Sequence, residues 1–146
     1  MARLDLVFAL HATLHGSLGL ALFFAPQIVE STLSLNDNAA GILAVRGYGV
    51  AILGAALASL MCFNLPDMLP CKRATATGLM VYHALVAYLY FDARKQETLP
   101  YMTATGAMLL HMAFLAVFYV WSKVTENQVK AFSKQQRQQQ KGSRSH

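Results

Sequence analysis

Along the chain, apolar residues fall into four long blocks separated by short polar stretches. The most uniform block is residues 39–63, AAGILAVRGYGVAILGAALASLMCF, in which Arg46 is the only charge among 25 positions. A hydrocarbon core about 30 Å thick needs roughly 20 apolar residues of helix, so this block can cross a bilayer with some tilt. The other three blocks cover residues 4–25, 74–92 and 100–122. The pattern predicts an all-α fold: an integral membrane four-helix bundle over residues 1–122, followed by a tail over residues 123–146.

Local signals place the ends of these elements. Pro26 closes the first span, because proline fits poorly inside a helix. The run Asn36-Asp37-Asn38 is a turn or helix-start signal before the second span. Pro100 stands where a first helical position is expected for the fourth span, and Tyr119 and Trp121 near its end suit a membrane interface. The first block is longer than the 7–15 apolar residues of a signal-peptide core and shows no small-residue cleavage site, so it is expected to be retained.

Composition supports this reading, with 55% hydrophobic and 13% charged residues against roughly 25% charged in soluble domains. Charge then sharpens it. The formal net charge is +5, and the tail from Lys123 onward carries six basic residues and one acid, so it supplies the whole excess. A basic segment beside a span meets anionic lipid headgroups or sets orientation, and nucleic acid is not an expected partner. The tail can continue the fourth helix for a few turns, and its glutamine-rich end is low in complexity and is expected to be disordered. With four spans, Arg3, Lys72, Arg73 and the six tail residues share one side, against Arg94 and Lys95 on the other. Lysine and arginine mark the cytosolic side, so both termini are expected there, or on the matrix or stromal side of an organelle membrane.

Small residues recur every fourth position in the second span at Gly47, Ala51, Ala55 and Ser59. Such a stripe permits close helix approach where lipid removes the hydrophobic drive to associate. It makes the second span the expected packing helix, both within the bundle and toward membrane-protein partners.

Ionisable residues inside spans are costly and are candidates for function. At 1.5 Å per residue, His15, His83 and His111 each lie near the middle of a span, and His11 lies one turn from His15 on the same face. Three readings are open. The histidines hold a haem, since neutral imidazole is a good iron ligand and bundle cores house cofactors. Zinc or copper is a weaker form of that idea, because no carboxylate or thiolate lies at the same level, and no residue is assigned as a metal ligand. Alternatively, histidines and tyrosines line a pocket for a quinone, lipid or sterol, with Arg46, Tyr48 and Tyr82 as its polar groups. Or each histidine only hydrogen-bonds to a neighbouring helix. Arg46 lies about 10 Å inside its span, and either snorkels outward to Glu30, Asp37 or Asp92 or anchors a site. Cys62 and Cys71 read as apolar filling, with palmitoylation beside the membrane as the alternative. No nucleophile–base set, paired carboxylates or phosphate-binding loop is present, so catalysis has no support.

The residues Gly16-Ser17-Leu18-Gly19-Leu20, the exit Phe24-Ala25-Pro26, a short acidic loop and then Arg46-Gly47-Tyr48-Gly49 resemble the DoxX-like group of small four-span membrane proteins. The resemblance covers residues 4–62. Some members of that group are associated with quinone-linked oxidoreductases, and the likeness implies an accessory or scaffold role. The expectation is therefore a non-catalytic accessory or scaffold subunit of a membrane complex. A haem- or quinone-binding redox protein is the alternative, and lipid or sterol binding comes third.

Overall fold

A computed structural model describes residues 5–28 and 39–143. They form four long helices: α1 at Leu6–Phe24, α2 at Ala39–Cys62, α3 at Pro70–Lys95 and α4 at Tyr101–Ser143. No strand occurs among the described residues. Each helix is long and apolar enough to cross a membrane, as the block pattern predicts. Burial agrees with a lipid environment. Leu10, Leu14, Leu57, Leu60, Leu85, Leu89 and Leu109 all face outward, and each is more than half exposed except Leu14 at 45%. In water so wide an apolar surface would drive aggregation; in a bilayer it is the surface that meets acyl chains.

The element ends differ in detail from expectation. Helix α3 begins at Pro70, four residues before the apolar block, because proline's fixed φ suits a first helical position. It runs on through Ala93, Arg94 and Lys95, whose positive charges favour the C-terminal end of the helix dipole. The signal at Asn36-Asp37-Asn38 lies outside the described residues, as do Arg3, Glu30 and Arg144 to His146.

The tail is a correction. The helix does not stop after the few turns expected to continue the fourth span: the glutamine-rich end is helical too, to Ser143. Its glutamines, lysines and alanine are good helix formers, and a segment that extends an existing helix escapes the cost of nucleation. Glu126 also bridges Lys123 at 3.7 Å and Lys130 at 2.7 Å along one face.

The helices pair as two hairpins, α1 against α2 and α3 against α4, with the backbones of different hairpins further apart. Buried residues follow a 3–4 spacing. In α1 they include Phe8, His11, His15, Gly19 and Leu22, and in α2 Val45, Gly49, Ile52, Ala56 and Ser59. In α3 they include Lys72, Ala76, Leu79, His83 and Val86, and in α4 His111, Phe114, Phe118, Trp121 and Thr125. This is the seam of helices wound gently around one another.

Close approach within the first hairpin is made by Gly19 and Gly49. A Cβ on either would lie 3.0 Å from the other's carbonyl oxygen. The expected stripe is thereby corrected: Ser59 is buried and Ala55 half-buried, but Gly47 and Ala51 are exposed, and a Cβ on Gly47 would meet nothing within 4 Å. The reason is helical drift. A four-residue step overshoots a full turn by about 40°, so a strict four-residue stripe wanders off the contact line that a 3–4 spacing keeps.

One end of the bundle is closed by a charged side chain. Lys72 is fully buried; it donates to the Leu65 carbonyl at 2.8 Å and pairs with Asp67 at 2.8 Å. Its ammonium lies 5.0 Å from the Phe8 ring centre and 5.7 Å from that of Trp121. Arg73 donates to Thr125 Oγ1 at 2.9 Å. Lys72 and Arg73 thus lock α3 to α4 and to the end of α1.

Two outcomes check this packing in thermal unfolding of the detergent-solubilised protein. Gly49→Leu is expected to cost about 2 kcal/mol or more by overpacking, whereas Gly47→Leu leaves stability near the parent. Asp67→Ala, which strands the buried Lys72 ammonium, is expected to cost about 3 kcal/mol, more than Lys72→Met, which removes the buried charge and leaves only the partly exposed Asp67 carboxylate unpaired.

Candidate metal centre

The four span histidines meet in the middle of the bundle. His11 and His15 stand one turn apart on the buried face of α1, with rings stacked at 4.1 Å between centres. His83 comes from α3 and His111 from α4. The centre of the His83 ring is 5.1 Å from that of His11 and 5.2 Å from that of His15. All four residues are buried, with at most 5% of their surface exposed. They converge because each occupies a seam position of its helix, at one depth.

Hydrogen bonds commit some ring nitrogens and leave others free. His11 Nδ1 lies 2.7 Å from Ser59 Oγ, and His83 Nδ1 lies 2.8 Å from His111 Nδ1, one donating and the other accepting. His11 Nε2, His15 Nδ1 and His83 Nε2 are buried without a hydrogen-bond partner. His11, His15 and His83 each offer one ligand atom, and these atoms lie within 4.8 Å of one another. Nitrogens bound to one ion at about 2.0–2.1 Å stand no more than about 4.2 Å apart, so the rings would draw together on binding. Two of the three rings, His11 and His83, are held through one nitrogen with the other left without a partner, as metal-ligating histidines commonly are.

The surroundings are aromatic. Phe114 stacks on His83 at 5.1 Å and meets His11 and His15 edge-on. Phe118 covers His11 and His83, and Phe8 and Trp121 close the layer beyond. Tyr82 packs against His15, His83 and His111, and Tyr90 stacks on His111.

This geometry does not suit a haem between paired histidines. Two axial imidazoles sit on opposite sides of a macrocycle, with ligand nitrogens about 4 Å apart, whereas His83 and His111 are hydrogen-bonded to each other and the rings touch directly. The polar-pocket residues are only partly assembled. The hydroxyls of Tyr48 and Tyr82 are 3.4 Å apart, but Arg46 is exposed and stands outside the cluster. A groove between α1 and α4 of about 140 Å³ is lined by Val7, Leu10, Leu14, Leu110, Ala113, Phe114 and Val117. It is wholly apolar and falls below the roughly 300 Å³ of ordinary ligand pockets. Cys62 is buried in the core, and Cys71 is exposed; both are free thiols.

Ser59 and Phe114 are the site residues that the sequence did not mark as such. Ser59 stood only as a packing position, and Phe114 only as part of an apolar block, although His111, Phe114, Phe118 and Trp121 share a 3–4 spacing that could have joined them. No protein family, curated protein or solved structure matches this chain.

Proposed function

We propose that this is a metal-binding integral membrane protein, which holds a transition-metal ion inside its bundle through His11, His15 and His83. One observation carries this: buried His11, His15 and His83 bring ligand nitrogens within 4.8 Å of one another, and each has a buried ring nitrogen with no side-chain hydrogen-bond partner. A buried polar atom without a partner is costly, and that cost is far greater where lipid replaces water. A bound ion turns the same atoms into ligands. Neutral imidazole suits zinc, copper, iron and nickel, and the bonds from Ser59 and His111 hold two of the rings in place. The role is binding rather than catalysis. Both termini face the cytosol or its organellar equivalent in this reading, on the strength of the lysine and arginine bias.

A second, compatible role is that of an accessory subunit in a larger membrane assembly. It is favoured by Gly47, Ala51 and Gly54, small residues that face outward from α2, where lipid contact alone makes no demand for them and a partner helix would gain close approach.

Protein purified in mild detergent without chelators is expected to carry one transition-metal ion per chain by elemental analysis. His15→Gln and His83→Gln are expected to lose it, and Ser59→Ala to weaken binding about 10- to 100-fold, with Cys71→Ser unaffected. Stripping and then restoring the metal should lower and raise the unfolding midpoint. A metal-free protein whose midpoint ignores zinc, copper, iron, cobalt and nickel alike would remove the proposal. For the accessory role, Gly47→Leu combined with Gly54→Leu should shrink the native assembly in membrane extracts while leaving the midpoint of the isolated chain unchanged.

A further inference from the structure

Resting on the metal-binding reading, the structure points further, to the kind of ion. We infer that it is cuprous copper, Cu(I), held by three imidazole nitrogens.

Charge is the first ground. The cost of moving an ion from water into a low-dielectric interior scales with the square of its charge, so a dication costs about four times as much as a monocation of the same size. Divalent sites offset this with carboxylates or thiolates. Here the side chains in ring or hydrogen-bond contact with the three histidines are His111, Ser59, Tyr82, Phe114 and Phe118, all neutral. The described acids lie elsewhere: Asp5 precedes α1, Asp67 pairs with Lys72, Asp92 accepts from Gln96 near the end of α3, Glu97 follows α3, and Glu126 bridges lysines beyond Trp121.

Coordination number is the second ground, and it is independent of charge. Zinc is almost always four-coordinate, with water filling any position the protein leaves open. Cu(II) and Ni(II) favour square-planar or tetragonal shells, and non-haem Fe(II) sites use two histidines with a carboxylate. The cluster offers three nitrogen donors within 4.8 Å; the polar groups beside them are already engaged, His111 Nδ1 with His83 Nδ1, the Ser59 hydroxyl with His11 Nδ1 and the Tyr82 hydroxyl with Tyr48, and the remaining walls are Phe114 and Phe118. Cu(I), with a filled d shell, is satisfied by two or three donors and asks for neither a fourth ligand nor a counter-charge.

The test is a competition on the full-length protein, stripped of metal and kept under nitrogen in mild detergent. It is titrated with Cu(I) in the presence of ascorbate and a coloured Cu(I) chelator, and in parallel with Zn(II) and with Co(II), whose visible absorption reports its coordination. Expected are one Cu(I) retained per chain, an X-ray absorption edge of three-coordinate Cu(I) with a nitrogen-only shell, and neither Zn(II) nor Co(II) retained through gel filtration. His83→Gln should surrender the copper to the chelator. Should that variant fail to fold, the absorption spectrum of the parent protein decides alone. Retention of Zn(II) or Co(II) with Cu(I) lost to the chelator, or a four-coordinate shell containing oxygen or sulfur, overturns Cu(I) and leaves the metal-binding reading standing. Retention of no metal at all overturns both.

Discussion

Backbone contact between Gly19 and Gly49 is the constraint on which the rest depends. Lipid offers no hydrophobic reward for bringing helices together, so association has to come from close packing and polar contacts. With no side chain on either residue, α1 and α2 meet carbonyl against backbone, and that contact sets both the separation and the rotation of α1. Rotation of α1 in turn aims Phe8, His11 and His15 at the second hairpin. Ser59, two turns and more along α2 from Gly49, is thereby brought to hydrogen-bonding distance of His11.

The interface between the hairpins is of a different kind. Within a hairpin, small residues let backbones approach; between hairpins, Phe8, Phe114, Phe118, Trp121 and the four histidines fill a wider gap. This is why the polar groups gather there: imidazole is large enough to reach across and can hydrogen-bond to a ring from another helix. The gathering has a cost, since four histidines cannot all satisfy both nitrogens on one another. The leftover nitrogens are what makes the cluster chemically interesting. At one end the layer is sealed by Lys72, held by Asp67 and the Leu65 carbonyl over aromatic faces, so that the site lies behind an ordered lid of charge and rings rather than an open vestibule.

Much of the fold was legible because bilayer thickness imposes a length on any apolar helix, and block length can be read without knowing any contact. The depth of His15, His83 and His111 was legible for the same reason, since rise per residue converts position into level. What remained hidden was azimuth. Gly47 and Gly49 differ by two positions and by about 200° around the helix, and only one of them meets α1. Arg46 likewise resisted placement until the α2 seam was known to run through Val45 and Gly49, which leaves residue 46 exposed.

The tail shows the complementary limit. Its glutamine-rich end reads as disordered because that composition offers little apolar surface to bury, yet it inherits a helix from the span before it. By itself, then, the sequence determined four membrane-length helices and the level of the histidines, quantities that follow from local composition and a fixed rise. Only the tertiary structure decided which glycine forms the contact, that His11, His15 and His83 converge with free nitrogens, and that their neighbours are aromatic and uncharged. Those are relations between residues on different helices, set by how the helices rotate against one another.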